Sequence, residues 1–188
     1  MRWLLAAAFV FGLAGCGAGP KTHFYTLVPV GPGHPADTDF PGLPLKVGHV
    51  ALPADLDRAS LVTLGPGTTV SVSDTERWAA PLDQLVRTTL TSDLQARLGE
   101  SAVLAPNDPV SPKGARTLVL AVQQFSGDSA GQVVLEADWT LAHGTPPKPG
   151  PLHHVRIVEQ AGSTQGEAVA AAMSRALARF ADRITSPA

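Results

Sequence analysis

The sequence is poor in the residues on which disulfide-bonded and nucleic-acid-binding proteins depend. It contains one cysteine in 188 residues, which excludes an internal disulfide. Lys and Arg number 14 against 16 Asp and Glu, and aromatic residues make up only 5%. This balance offers no basic stripe and few stacking side chains, so we predict no nucleic-acid partner. After the N-terminal segment, no apolar run approaches the roughly 20 residues that a membrane-spanning helix needs.

Sequence motifs for catalysis and cofactor binding are also missing. There is no Walker loop, serine-nucleophile motif, zinc motif or dinucleotide fingerprint. His153 and His154 are adjacent on a predicted strand, where they would point to opposite faces and could not share a metal in regular geometry. Asp55 and Asp57 could form a carboxylate pair, but turn and capping roles are favoured. We therefore predict a protein that is not an enzyme and that has no metal or cofactor.

The N-terminus carries the clearest motif. A charged start and an apolar run at residues 4–13 lead to Leu13-Ala14-Gly15-Cys16, and the run has signal-peptide length. The tetrapeptide resembles the bacterial lipobox, which implies cleavage before Cys16 and lipidation of its thiol. The alternative is a plain secretory signal with Cys16 near the cut by chance. The single cysteine favours lipidation, so we predict a signal peptide (1–15), a lipidated cysteine and short tether (16–22), and one domain (23–188).

The predicted anchor sets where the domain can act. Cleavage removes Arg2 and no acid, so the mature chain is one unit more negative than the formal charge of −2. In proteins with a lipobox, an aspartate directly after the cysteine typically retains the lipoprotein at the inner membrane. This chain has Gly17 at that position, so the resemblance leads us to expect an outer-membrane protein facing the periplasm. Stable anchoring needs more than one lipid chain. The seven residues 17–23 reach only about 25 Å, so any trans-envelope role requires a spanning partner.

The hydrophobic patterning predicts an α+β domain: a mixed, largely antiparallel sheet of about 6–8 strands packed with two main helices. Strands are expected at residues 23–28, 45–52, 60–64, 68–73, 102–105, 117–122, 133–141 and 154–160. Two capping boxes, Ser73 with Glu76 and Thr164 with Glu167, predict the helix starts. The first helix should contain Trp78 and reach about Leu98. The second should bury Val169, Met173, Ala176, Leu177, Phe180 and Ile184.

Two stretches of the domain resemble a known family. They run from Val47 to Leu61-Val62 and from Arg77 to Leu82, behind an aromatic segment at residues 24–27. In order and spacing they are similar to the ABC-type transport auxiliary lipoproteins, the PqiC/YmbA family. The motif positions that could contact a partner are Leu52, Pro53, Asp55, Leu56, Asp57, Arg58, Arg77, Trp78, Pro81 and Leu82. Asp55 stands where the family usually has an aromatic residue, and Ala80 where it often has an acid.

The resemblance implies an accessory role beside MCE-type machinery that moves lipids between the two membranes. The lipoprotein would dock an MCE-domain protein at the outer membrane, and we expect the interface around residues 53–60. Asp57 and Arg58 could instead pair with each other in the loop, and packing is the favoured role for Trp78. Three alternatives remain: a receptor with an apolar cavity for a lipid or small ligand, a structural lipoprotein of an envelope-assembly machine, and an enzyme. Homo-oligomerisation is left open.

Overall fold

The computed structural model describes residues 19–32, 44–108, 112–144 and 146–186. They form one eight-stranded sheet and two long helices, which confirms the predicted α+β class. The strands are β1 (His23–Tyr25), β2 (Leu45–Ala51), β3 (Ser60–Leu64), β4 (Val70–Trp78), β5 (Val103–Leu104), β6 (Arg116–Asp128), β7 (Gln132–Ala142) and β8 (His153–Gln160). The helices are α1 (Leu82–Leu98) and α2 (Gly166–Thr185), and a short 3₁₀ turn spans Glu100–Ala102. The predicted lipobox lies outside the described residues.

The longest strand, β6, organises the sheet. One of its edges pairs with β7 along most of its length, and β7 pairs in turn with β8; both ladders are antiparallel. The other edge of β6 pairs with two strands. β2 runs parallel to the first half of β6, and β3 pairs with the end of β6 at Thr63↔Gly127. β4 and then β1 extend the sheet beyond β3. The mixed, largely antiparallel sheet is thus confirmed, because its two longest ladders, β6–β7 and β7–β8, are antiparallel.

The helices form a second layer and enclose the core. α1 packs on β2, α2 packs on β7 and β8, and the two helices contact each other. The apolar stripe predicted for the second helix is confirmed, since each of its six residues is buried. The largest fully buried side chains include Phe125, Leu135, Met173, Leu177 and Phe180. The apolar residues of the helices are therefore used in packing against the sheet.

The predicted start of the first helix is wrong. Ser73 Oγ does accept the N–H groups of Thr75 (3.3 Å) and Glu76 (3.0 Å), but these residues lie in β4, where the register with β3 shifts. The chain stays extended to Trp78 because Tyr25 of β1 pairs there. α1 begins only at Leu82, after Pro81 as N-cap. Strand pairing on both sides of β4 has overridden a local capping pattern.

The second predicted capping box is wrong as well. α2 begins at Gly166, and no side chain of its own N-cap residue accepts a hydrogen bond. Glu76 fills that role from β4: its Oε1 accepts the Gly166 N–H at 3.1 Å and the Tyr25 hydroxyl at 3.3 Å. A carboxylate at a helix N-terminus is favoured by the helix dipole. A Cβ at position 166 would lie 2.5 Å from Tyr25 Cε2, so glycine allows this close approach.

The residues after β1, 26–30, form an arm that crosses the helices, whereas the sequence predicts a longer strand. Leu27 is buried, and the Val28 N–H donates to Ser174 Oγ of α2 at 3.1 Å. The Val30 N–H donates to Asp93 Oδ1 of α1 at 2.7 Å. This arm follows β1 along the chain and is hydrogen-bonded to both helices.

Asp93 lies at the centre of a buried charge cluster beneath the arm. Arg97 Nη1 lies 3.9 Å from Asp93 Oδ1 and also donates to the Val30 carbonyl. Arg97 Nε donates to Asp182 Oδ1 at 2.6 Å. Both Asp93 and Arg97 are buried, whereas Asp182 is half-exposed. Burial raises the pKa of Asp93 to about 6, against the lowering effects of the Val30 N–H and Arg97.

Candidate partner-binding groove

The first family motif forms the loop between β2 and β3. The carbonyl of Pro53 accepts the N–H groups of Leu56 (3.0 Å) and Asp57 (3.2 Å), which closes one tight turn. Leu56 is buried in the core, whereas Asp55, Asp57 and Arg58 are exposed. The turn thus places one apolar anchor inward and its charged side chains in solvent.

The second motif lies beside the first. The Trp78 N–H donates to the Ala59 carbonyl at 2.7 Å, and Arg77 pairs with Ser60. Trp78 and Leu82 are buried in the same core cluster as Leu56, so packing is the role of Trp78, as favoured from the sequence. Arg77 and Pro81 are exposed. Although the two motifs are separated along the chain, their backbones meet at one end of the sheet.

A groove runs between β2 and α1 and ends at the motif loop; we call it the β2–α1 groove. Its main part has a volume of about 520 Å³ and is lined by Gly48, His49, Val50, Asp83, Gln84, Arg87, Thr88, Pro106 and Asn107. A smaller hollow of about 220 Å³ continues it and is lined by His49, Val50, Ala51, Leu52, Asp57 and Asp83. Two motif residues, Leu52 and Asp57, therefore line the groove directly.

The groove is open because β2 extends beyond the end of its neighbour β5. β5 pairs only with Leu45 and Lys46 of β2. After Lys46, none of the other described strands pairs with this edge of β2. Arg87 closes one end of the groove, since Nε donates to the Val47 carbonyl (3.1 Å) and Nη2 to the Pro106 carbonyl (2.8 Å). The edge between Arg87 and Leu52 is bordered by the first turns of α1.

Gly48 shapes the floor of the groove. The register of β2 against β6 shifts between Val47 and Val50, so that β2 contains a bulge here. A Cβ at position 48 would lie 2.7 Å from Thr117 Cγ2 and 3.0 Å from the Leu118 carbonyl oxygen. The backbones approach so closely that glycine is the residue that fits.

The charge in the groove is uneven. The small hollow beside Leu52 is lined by the carboxylates Asp57 and Asp83 and by no Lys or Arg. Arg87 belongs to the opposite end, where two backbone carbonyls hold its guanidinium. A cationic side chain therefore has complementary charge in the hollow.

Sequence reasoning anticipated the motif loop and not the groove. The turn-forming prolines and Gly48 within a strand pattern are signals of an irregular edge. The early end of β5 and the position of Arg87 depend on tertiary packing, which leaves no local pattern. The Asp93–Arg97 pair was also missed, although an acid and a base four residues apart in a predicted helix are a visible signal.

His153 and His154 make separate contacts from β8. His153 stacks on Trp139 with ring centroids 4.4 Å apart, whereas His154 Nδ1 lies 2.9 Å from Asp138 Oδ1; the prediction of opposite faces is confirmed. Within the described ranges, no three His, Cys, Asp or Glu side chains are grouped to hold a metal ion. None of the helices in these ranges is long and apolar enough to cross a membrane.

Comparison with known proteins identifies the family. The chain is 29% identical over 145 residues to the intermembrane transport lipoprotein PqiC of Escherichia coli K12, covering 76% of this chain and 74% of that protein. A crystal structure of an uncharacterized protein superposes with a TM-score of 0.68 at 22% identity, covering 88% of this chain and 97% of the other. A Xanthomonas campestris protein gives 0.66 at 18% identity, covering 86% and 92%; these two likenesses support the fold. The model of the family described as "ABC-type transport auxiliary lipoprotein component" matches residues 25–185, and the chain belongs to that family.

Proposed function

We propose that this protein is an accessory lipoprotein of an MCE/ABC-type system for lipid transport between membranes. It is anchored in the outer membrane through lipid on Cys16, faces the periplasm and docks a periplasm-spanning MCE-domain protein. Family membership and the similarity to a protein named an intermembrane transport lipoprotein support the transport role. The lipobox at Leu13, Ala14, Gly15 and Cys16, followed by Gly17, supports the anchor and its membrane.

The observation that carries the docking role is the meeting of both family motifs beside an open groove. The motif loop presents Asp55, Asp57 and Arg58 to solvent, and its turn is held by Pro53 and anchored by buried Leu56. Such a rigid turn presents charged side chains with little ordering cost on binding. We infer that this surface recognises the partner.

The attachment of the domain favours a role close to its membrane. The predicted tether ends at β1, and the arm that follows is bonded to Ser174 and Asp93. With about 25 Å of extended chain between Cys16 and His23, the domain stays near the bilayer. The partner must therefore supply the span across the periplasm.

The groove favours protein docking over storage of a lipid chain. An acyl chain requires a mostly apolar, enclosed cavity, whereas the β2–α1 groove is lined by Asp57, Asp83, Gln84 and Arg87. The apolar faces of α1 and α2 are buried against the sheet.

The test uses the full-length lipoprotein extracted in mild detergent and mixed with an MCE-domain protein from the same organism. We expect the two proteins to co-purify, with no stoichiometric lipid in a solvent extract of the lipoprotein analysed by mass spectrometry. Stoichiometric lipid without MCE binding would contradict the proposal and support a lipid receptor. Light scattering of the free lipoprotein measures its oligomeric state in the same preparation.

A further inference from the structure

We propose that the β2–α1 groove binds an extended segment of the partner as an added strand on the free edge of β2, with a Lys or Arg of that segment in the hollow between Asp57 and Asp83. The inference deepens the proposed function and rests on it for the identity of the partner. The binding mode itself rests on the edge, the groove and the charges.

The edge of β2 has no strand partner after Lys46 among the described strands. Pairing with β5 stops at Lys46, and Arg87 takes the Val47 carbonyl. From Gly48 to Ala51 none of the described strands pairs with this side. An unpaired strand edge presents N–H and C=O groups that a second chain can bond. At about 3.3 Å per residue, these residues accommodate a segment of about four residues.

The side chains on this edge leave it open, in contrast to those on β8. Exposed sheet edges are commonly protected by charged residues, and β8 carries Arg156, which is more than half exposed. The free part of β2 carries Gly48, His49, Val50 and Ala51, and none of them is Lys, Arg, Asp or Glu. The β2 edge thus lacks the charges that deter pairing.

The groove walls select the occupant. The first turns of α1 border the edge with Asp83, Gln84 and Thr88, which offer polar contacts to a strand added beside β2. At the far end, Asp57 and Asp83 share a hollow that contains no basic side chain among its lining residues. Charge complementarity therefore favours a segment with a cationic residue at that end.

The probe is a five-residue peptide, acetyl-Val-Lys-Val-Lys-Val-amide, added to the isotope-labelled full-length lipoprotein in detergent micelles. We expect the amide NMR signals of residues 48–51 to shift and the peptide to bind in a single-site manner. N-methylation of alternate peptide nitrogens removes edge hydrogen bonds and should weaken binding at least tenfold. A peptide with Glu in place of Lys should bind at least fivefold more weakly. Equal binding of all three peptides, or shifts confined to β8, would overturn the proposal.

Charge variants test the hollow without altering the strand. Asp57→Asn combined with Asp83→Asn should weaken binding of the Lys peptide about five- to tenfold. The matched control combines Asp74→Asn with Glu100→Gln, which neutralises two exposed acids outside the groove lining, and should leave binding unchanged. Circular dichroism verifies that both double variants are folded. Equal loss in both variants would overturn the assigned role of the hollow.

Binding experiments with the MCE-domain protein separate the failure of this inference from the failure of the proposed function. The MCE-domain protein should compete with the Lys peptide and bind the Asp57/Asp83 variant more weakly. If the MCE-domain protein binds and neither competes nor responds to the variant, the groove inference fails and the proposed function stands. If the peptide binds the β2 edge as described but no MCE-domain protein binds, strand addition is supported and the proposed partner is wrong.

Discussion

The buried carboxylate of Asp93 should make the domain less stable as the pH rises from 5 to 8. Its pKa is about 6 in the folded protein, chiefly because burial disfavours the charged form, and Asp182 adds to this effect. Arg97 and the Val30 N–H act in the opposite direction. The folded state thus holds the proton more tightly than the unfolded chain, whose pKa is near 3.8. The stabilisation is complete below pH 4 and is lost as the pH rises through 6.

Integrating the proton uptake of Asp93 between pH 5 and pH 8 gives a loss of about 1.4 kcal/mol in the free energy of unfolding. The assay is urea unfolding of the mature protein and of Asp93→Asn at pH 5, 6, 7 and 8. The variant cannot titrate at this position but keeps an oxygen for the Val30 N–H. The stability of the native protein relative to the variant should therefore fall by about 1.4 kcal/mol across this range.

The control is Asp74→Asn, at an exposed acid, whose stability relative to the native protein should stay nearly constant. A difference between the native protein and Asp93→Asn that does not change with pH would refute the reasoning. So would a relative gain in native stability with rising pH, because it would mean that Arg97 outweighs burial and holds the carboxylate ionised.

Three further predictions concern the anchor and the fold. Cys16→Ser should abolish lipidation and release the protein from membranes; palmitate labelling and fractionation measure this, and a firmly bound variant would contradict the lipobox. Glu76→Ala removes the acceptor for the Gly166 N–H and should lower the free energy of unfolding by about 1–2 kcal/mol; Glu76→Gln should cost less, and equal losses would contradict the capping role. Gly48→Ala should cost about 1–3 kcal/mol in urea unfolding because of the close contact with β6; a neutral result would contradict it.

Local patterns were sufficient for parts of the fold. The apolar spacing of α2 is a property of a single segment, and the structure buries Val169, Met173 and Phe180 as predicted. Gly99 follows α1 with a positive φ of 90°, a backbone conformation that favours glycine. These features depend on neighbours within a few residues, so the sequence pattern contains the needed information.

Other features depended on partners far along the chain. The Ser73–Glu76 pattern looks like a helix start, yet pairing with β1 and β3 keeps these residues in β4. Glu76 then caps α2, 90 residues away. The groove likewise results from where β5 stops pairing with β2. Sequence reasoning located the loop at residues 53–60, but the free strand edge beside it was visible only in the assembled sheet.

We propose that an MCE-domain protein docks at the β2–α1 groove beside the motif loop. The most direct test replaces Thr88 in the full-length, membrane-anchored protein with a photo-crosslinking phenylalanine analogue and irradiates living cells. Glu100, which lies after the far end of α1, provides the matched control position. We expect a crosslink to the MCE-domain protein from position 88 and none from position 100. Crosslinks to that protein from position 100 alone, or from neither position, would contradict it.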